Sequence, residues 1–198
     1  MRIKKVNLPA GEFPEVQQLE KELKRENYKA RYKSTLRSTV YSLIVVAALA
    51  VLIAVLWMPV LRIYGSSMTP TLSEGNIVVS VKSKTPKRGE IVGVYYGSKL
   101  LIKRSIGIAG EWVNIDDAGQ VYIDGIPLDE PYLAERALGE TDINLPYQVP
   151  EDSIFVIGDH RSTSIDSRNT SVGCIATEDV VGRIVFRVWP LDQFGPVK

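Results

Sequence analysis

Two serines and one lysine are the first residues in this chain with an evident chemical use. The segment YGSSMTPTLSEGNIVVS, Tyr64 to Ser80, sets Ser66 and Ser67 directly before Met68, with Pro70 two residues further on. A serine hydroxyl is a weak nucleophile at neutral pH and needs a base beside it. The chain has one histidine, His160, so any serine–histidine scheme must use that residue. The other option is an amine, because burial disfavours the charged form of lysine and lowers its pKa. Most lysines, such as Lys82, Lys84 and Lys87, stand in polar company. Lys103 differs: in KLLIKRSIGIAG it is flanked by Leu100, Leu101 and Ile102, then Ile106 and Ile108. On a strand, alternation puts Leu101, Lys103 and Ser105 on one face and Ile102, Arg104 and Ile106 on the other. One of the two adjacent cations is then free to enter a core. From composition alone, an edge-strand lysine pointing to water is the commoner outcome for such a residue.

The elements that would hold these groups follow from hydropathy and charge. No charged residue lies between Ser38 and Leu61, and the apolar run from Val40 to Leu61 is 22 residues long. About 20 apolar residues cross the hydrocarbon core of a bilayer as a helix, so the run predicts one transmembrane helix over 38–61. It exceeds the apolar part of a cleaved leader, roughly 7–15 residues. The small residues at Ala48–Ala50 lie inside the run and read as helix composition. Trp57 suits a headgroup boundary. Residues 1–37 hold 10 Lys/Arg and 5 Asp/Glu, net +5, whereas residues 62–198 hold 14 and 18, net −4. The bias of basic residues places the N-terminus in the cytoplasm and residues 62–198 outside, in a single-pass plasma-membrane topology. An acidic body is not built to grip nucleic acid.

Residues 14–37 are predicted helical, with Pro14 in the first turn and Val16, Leu19 and Leu23 at helical spacing. They form a basic cytoplasmic lead-in (1–37). After Leu61 the pattern becomes β-branched runs broken by Gly, Pro and Lys: NIVVSVKS, GEIVGVYYG, KLLIKRSIGIAG, EWVNID, QVYID with its DG turn into IPLD, SIFVIGD and VVGRIVFRVWP. Residues 62–198 therefore form a mainly β domain of 137 residues, large enough for a real core. Residues 129–150 read as an irregular excursion with one helical turn near Leu133–Leu138. The single cysteine, Cys174, excludes an internal disulfide and reads as a small packed side chain. No Cys/His cluster offers a metal site and no Gly-rich loop matches a phosphate cradle, so no cofactor is expected.

Four short blocks occur in order: GSSMTPTL, KRGEIVGV, LIKRSIGIAGE and GDHRSTSIDSR. Together with the N-terminal anchor, they closely resemble the bacterial type I signal peptidases, in particular the Gram-positive-type members. The resemblance spans residues 40–198. It implies a signal-peptidase-like β domain outside the membrane and hydrolysis of exported preproteins through a Ser-Lys dyad. The nucleophile falls on Ser67 and the general base on Lys103. The serine that positions the lysine falls on Ser164, and the structural carboxylates and arginine fall on Asp159, Asp166 and Arg168. Asp166 and Arg168 are expected to form an ion pair that holds their loop. Shallow pockets for small side chains one and three residues before the cut would be lined by Ile63, Gly65, Met68, Leu72, Val78, Leu101 and Ile102. Core packing is the alternative for each apolar residue of that set.

The pattern departs from the family in places. Some members carry a serine two residues before the nucleophile, where this chain has Gly65, which leaves the second oxyanion donor open between a backbone N–H, Ser66 and water. His160 stands where many members have Asn, but it lies outside the block that holds the base and is not expected to act in catalysis. Two readings from other classes remain at this point: a self-cleaving Ser-Lys repressor fold, and a membrane-tethered, non-catalytic β module that binds a secreted partner. The missing DNA-binding head argues against the first. The second predicts that Ser67 and Lys103 are replaceable. The expected partners are exported preproteins and membrane lipid, and oligomeric state stays open.

Overall fold

The computed structural model describes residues 16–197. Its first unit is helical. Helix α1 runs from Val16 to Trp57 without a break, so the lead-in and the apolar segment are one element. Pro14 lies outside the described residues, as does the side chain of Trp57. The helix is long and apolar enough to cross a membrane, and none of its most apolar stretch is buried within the protein.

The helix stops four residues short of the predicted Leu61. Pro59 explains this. Proline disfavours the α conformation in the residue before it and offers no N–H of its own. Met58 N–H still reaches Ala54 O at 2.8 Å. The last apolar residues then turn into strand β1 (Val60–Arg62). Its backbone pairs with β2 (Ile77–Val81), Leu61 opposite Val78.

The remaining strands are β3 (Ile91–Tyr96), β4 (Lys99–Ile108), β5 (Trp112–Ile115), β6 (Val121–Ile123), β7 (Ile126–Pro127), β8 (Tyr147–Gln148), β9 (Ser153–Ile157), β10 (Ile175–Ala176), β11 (Val180–Trp189) and β12 (Gly195–Pro196). The larger sheet has the order β1-β2-β11-β3-β4-β9-β10, with β12 added to β11; the smaller has β7-β6-β5-β8. Pairing is antiparallel throughout. All seven runs read as strands form strands, and the DG turn closes on Asp124–Gly125. Four short strands, β1, β8, β10 and β12, carry no periodicity of their own and exist only through their partners. No helical turn forms at Leu133–Leu138. Instead Leu138, Ile143 and Leu145 are drawn singly onto the core between the sheets.

Three apolar clusters divide the work. Ile106, Val113, Val121, Phe155 and Ile157 fill the space between the two sheets. Val92, Val94, Val156 and Val180 form a second cluster. Ile63, Met68, Leu72, Val78, Ile91 and Ile184 form the third. Met68 and Leu72 belong to the turn that carries Ser67, so burial of these side chains ties the serine to the sheet. Each such side chain contributes about 1.5–3 kcal/mol when fully buried.

Candidate active site

Ser67 sits half-buried in a tight turn. Thr69 N–H donates to Ser66 O at 3.1 Å and Leu72 N–H to Met68 O at 2.8 Å. The Ser67 carbonyl accepts the His160 N–H at 3.0 Å. Its own N–H makes no hydrogen bond among the described residues, so it is available to an incoming oxygen.

Lys103 lies on β4, and its side chain is 3% exposed. Arg104 is buried as well, at 1%. The expectation that one of these neighbours points outward therefore fails: both go in, on opposite faces, and each finds polar partners. Arg104 clasps Asp159 through Nε to Oδ1 at 2.8 Å and Nη2 to Oδ2 at 2.7 Å. It also donates to Gly89 O at 2.6 Å and lies over the Tyr132 ring at 3.7 Å. Among the described residues, Lys103 has no carboxylate within ion-pair distance. Its Nζ donates to Ser164 Oγ at 3.0 Å. Burial pushes its pKa down from 10.5 to about 8; Asp166 and Asp159 raise it and Arg168 lowers it. An amine in this setting is a base near neutral pH.

Both residues line one cleft of about 480 Å³, together with Ile63, Gly65, Met68, Leu101 and Ile102 among others. Five of the seven expected pocket residues are therefore in place. Leu72 and Val78 are not. Both are 0% exposed and belong to the core beneath the turn. Val78 faces inward from a strand paired on both sides, and the turn bond from Leu72 N–H to Met68 O aims Leu72 the same way. Leu61, Arg62, Tyr64, Lys99 and Leu100 also line the cleft and were not expected from sequence. Gly65 is in the left-handed region, with φ of 81°. A serine there would carry backbone strain, so this turn is built for glycine.

The loop 158–168 holds Ser164. Arg168 grips Asp166 through Nε to Oδ1 and Nη2 to Oδ2, both at 2.8 Å, and both side chains are fully buried. The expected ion pair thus forms. Burial alone would raise the Asp166 carboxyl, but the Arg168 guanidinium and the Gly158 N–H outweigh it and hold it below the usual carboxylate range. Removing one member of a buried pair strands the other, at a cost of about 3–5 kcal/mol. Asp166→Ala is therefore expected to lower the melting temperature by about 6–20 °C, at about 2–4 °C per kcal/mol, measured by calorimetry. A melting temperature within 2 °C of the parent would rule out the loop-holding role.

Asp159 pairs with Arg104 rather than Arg168, and it accepts from Thr71 Oγ1 at 2.5 Å. Through Asp159, the serine turn is bonded to the strand of the lysine. A third buried pair, Arg161 with Glu130, braces the same loop. Sequence reasoning missed Arg104, Arg161, Glu130 and Thr71. The signal was an arginine inside an apolar strand, which needs a counter-charge from elsewhere in the chain.

Gly158 is the tightest point of the site. A Cβ there would meet Ser164 Oγ at 2.2 Å and Ser67 O at 2.5 Å. Gly158→Ala must therefore push apart the two residues that flank the lysine. It is expected to lower turnover about 100-fold, since a displacement of about 1 Å costs that much. An alanine variant with unchanged turnover on a preprotein would show that the spacing does not matter.

His160 is half-buried. Its Nδ1 lies 3.1 Å from Thr69 Oγ1, and its ring lines a separate recess of about 180 Å³ rather than the cleft shared by Ser67 and Lys103. It is therefore not placed to act as the base for Ser67. Among the described residues, no group of three or more His, Cys, Asp and Glu is arranged to hold a metal ion.

Comparison with known proteins shows the family. A family model described as signal peptidase, peptidase S26, matches residues 36–189. A signal peptidase I of Bacillus licheniformis is 35% identical over 163 residues, 75% of this chain and 86% of that protein. One from Bacillus amyloliquefaciens is 35% identical over 68% of this chain and 77% of its own length. A signal peptidase I of known crystal structure, from Enterococcus faecalis V583, is 30% identical; it covers 50% of this chain and 96% of its own, with a TM-score of 0.44. With a serine and a depressed-pKa lysine in one cleft and the family model matching from the apolar helix to the end of β11, this chain belongs to the signal peptidase family, peptidase S26, and is a serine endopeptidase.

Proposed function

We propose that the protein removes signal peptides from exported preproteins, with Ser67 as nucleophile and Lys103 as general base. The observation that carries this is the Lys103 amine: buried, deprived of a carboxylate partner, bonded to Ser164 and facing the cleft that holds Ser67. Ser67 Oγ attacks the carbonyl carbon of the scissile bond while Lys103 Nζ takes its proton. The oxyanion receives the Ser67 N–H, a donor of a kind whose loss costs about 100–1000-fold. Lys103 then gives the proton to the departing amine, leaving the signal peptide as an ester on Ser67. Water attacks that ester with Lys103 again as base, and Ser67 is regenerated. Ser164 holds the amine in line. Asp159, Asp166 and Arg168 hold the loop and the turn.

The cleft wall of Ile63, Met68, Leu101 and Ile102 accepts small side chains one and three residues before the cut. Residues 1–37 lie in the cytoplasm, α1 crosses the plasma membrane once, and the β domain lies outside. The switch from membrane to β domain falls at Pro59 rather than after Leu61. Ser67 follows Trp57 by ten residues, so the nucleophile lies where anchored substrates emerge, at the raised effective concentration that tethering gives.

The test is cleavage of a purified preprotein by the full-length protein in detergent, with the new N-terminus sequenced. A cut after a small-x-small motif, lost in Ser67→Ala and in Lys103→Ala, is the expected result. Cleavage undiminished in both variants would end this assignment of the site, and no cleavage of several preproteins by the folded parent would favour the non-catalytic module.

A further inference from the structure

We infer that His160 is a positioning residue for the nucleophile, acting through its Nδ1–H on Thr69. The inference rests on the roles proposed above for Ser67 and Lys103.

The assignment follows from counting protons. Thr69 Oγ1 donates to Ser66 O at 2.7 Å. A hydroxyl has one proton, and a carbonyl can only accept. That proton is thus committed to Ser66. The 3.1 Å contact between Thr69 Oγ1 and His160 Nδ1 must then run the other way, with the ring nitrogen donating. The ring therefore carries a hydrogen on Nδ1.

This bond closes a clamp around Ser67. The residue before it, Ser66, and the second residue after it, Thr69, are joined through the Thr69 hydroxyl, and His160 fixes that hydroxyl. The His160 peptide does the rest. Its N–H donates to Ser67 O at 3.0 Å, and its carbonyl accepts the Ser164 N–H at 3.1 Å. Ser164 in turn accepts from Lys103. One residue thus links the turn of the nucleophile to the loop that orients the base. The peptide bonds survive a change of side chain, whereas the ring bond does not, so the ring can be tested separately.

Asparagine places a donor NH₂ the same number of bonds from Cα as His Nδ1, and glutamine places it one further. Phenylalanine keeps the ring and removes the donor. The experiment compares His160→Asn, His160→Gln, His160→Phe, Thr69→Val and the double variant Thr69→Val/His160→Phe. Each is full-length, in detergent, with a preprotein substrate and Ser67→Ala as control. His160→Phe, His160→Gln and Thr69→Val are expected to lower kcat about tenfold with KM within about twofold, because alignment is lost and binding is not. His160→Asn is expected to stay within about threefold of the parent. The double variant is expected to be no slower than Thr69→Val, which already removes the ring bond along with the bond to Ser66.

A phenylalanine variant as fast as the parent, an asparagine variant as slow as phenylalanine, or losses that multiply in the double variant would overturn the inference. Should the phenylalanine variant fail to fold, the asparagine and glutamine pair still decides: unequal rates support the clamp and equal rates reject it. If Ser67→Ala cleaves like the parent, the site assignment fails and the clamp with it. If only the His160 variants are silent, the clamp alone fails.

Discussion

Replacing Ser67 with alanine is expected to lower preprotein cleavage about 10,000-fold or more while leaving the melting temperature within about 1 °C. The size follows from removing a nucleophile that forms the covalent intermediate; what remains in such cases is the contribution of binding and oxyanion donors. The small thermal effect follows from the environment. The Ser67 hydroxyl has no hydrogen-bond partner among the described residues and is half-exposed, and the turn is anchored instead by Met68 and Leu72. Neighbouring Ser66 is exposed and is one of the open candidates for the second oxyanion donor; Ser66→Ala cleaving within about threefold of the parent would exclude it, whereas a loss of about 100-fold would assign it. Equal losses in the two variants would mean that the turn, not the nucleophile, had been damaged.

Lys103 gives the second large effect, and it has three separate signatures. First, Lys103→Met and Lys103→Arg should both lose about 1000-fold or more, on the order of a general base and its positioning. The arginine variant separates charge from basicity, since a guanidinium does not deprotonate in proteins. Second, the pH profile of the parent should rise through pH 8. With a pKa of about 8, roughly one-tenth of the amine is neutral at pH 7 and half at pH 8, so kcat/KM gains about tenfold between pH 7 and pH 9. A flat profile over that range would exclude Lys103 as the base.

The third signature is stability. The unfolded chain keeps the Lys103 proton up to about pH 10.5, whereas the folded chain releases it near 8. Between those values the unfolded state binds more protons, so the group makes stability rise with pH. Below pH 8 the folded state carries the full cost of the buried ammonium, up to about 3 kcal/mol. Lys103→Met is therefore expected to melt higher than the parent at pH 7, with the gap shrinking toward pH 10.5. Loss of activity together with gain of stability is not what a structural lysine would show. A variant that melts lower at pH 7 would contradict the buried, poorly paired amine.

Much of this protein was readable one segment at a time. Charge-free length determines that one helix can cross a membrane. Alternating β-branched runs with Gly and Pro between them determine eight of the strands, because a strand's faces are written in its own residue order. Type and company brought Ser66, Ser67 and Lys103 forward as candidates, but composition favoured a lysine pointing to water, and only the resemblance of the four blocks selected Ser67 and Lys103. The four short strands could not be read, since two or three residues carry no period and are held by their neighbours' hydrogen bonds. The end of the helix was misjudged because hydropathy does not distinguish lipid from a sheet core, and Leu61 has moved from the first to the second. Leu72 and Val78 show the same limit: an apolar side chain suits a pocket wall and a core equally, and only packing assigns it.

Charge pairing was the least legible feature. Arg104 stands beside Lys103 in a run, Lys99–Ile108, that holds no acidic residue. It is buried because Asp159, 55 residues further on, meets it there. Lys103 looked the same in sequence and is buried without such a partner. Whether a buried cation becomes a brace or a base depends on what opposes it across the fold, and neighbouring residues in the chain do not contain that information. The sequence by itself determined which groups could react. The tertiary structure decided which of two adjacent cations is left unpaired, because desolvation and counter-charge are properties of the assembled site.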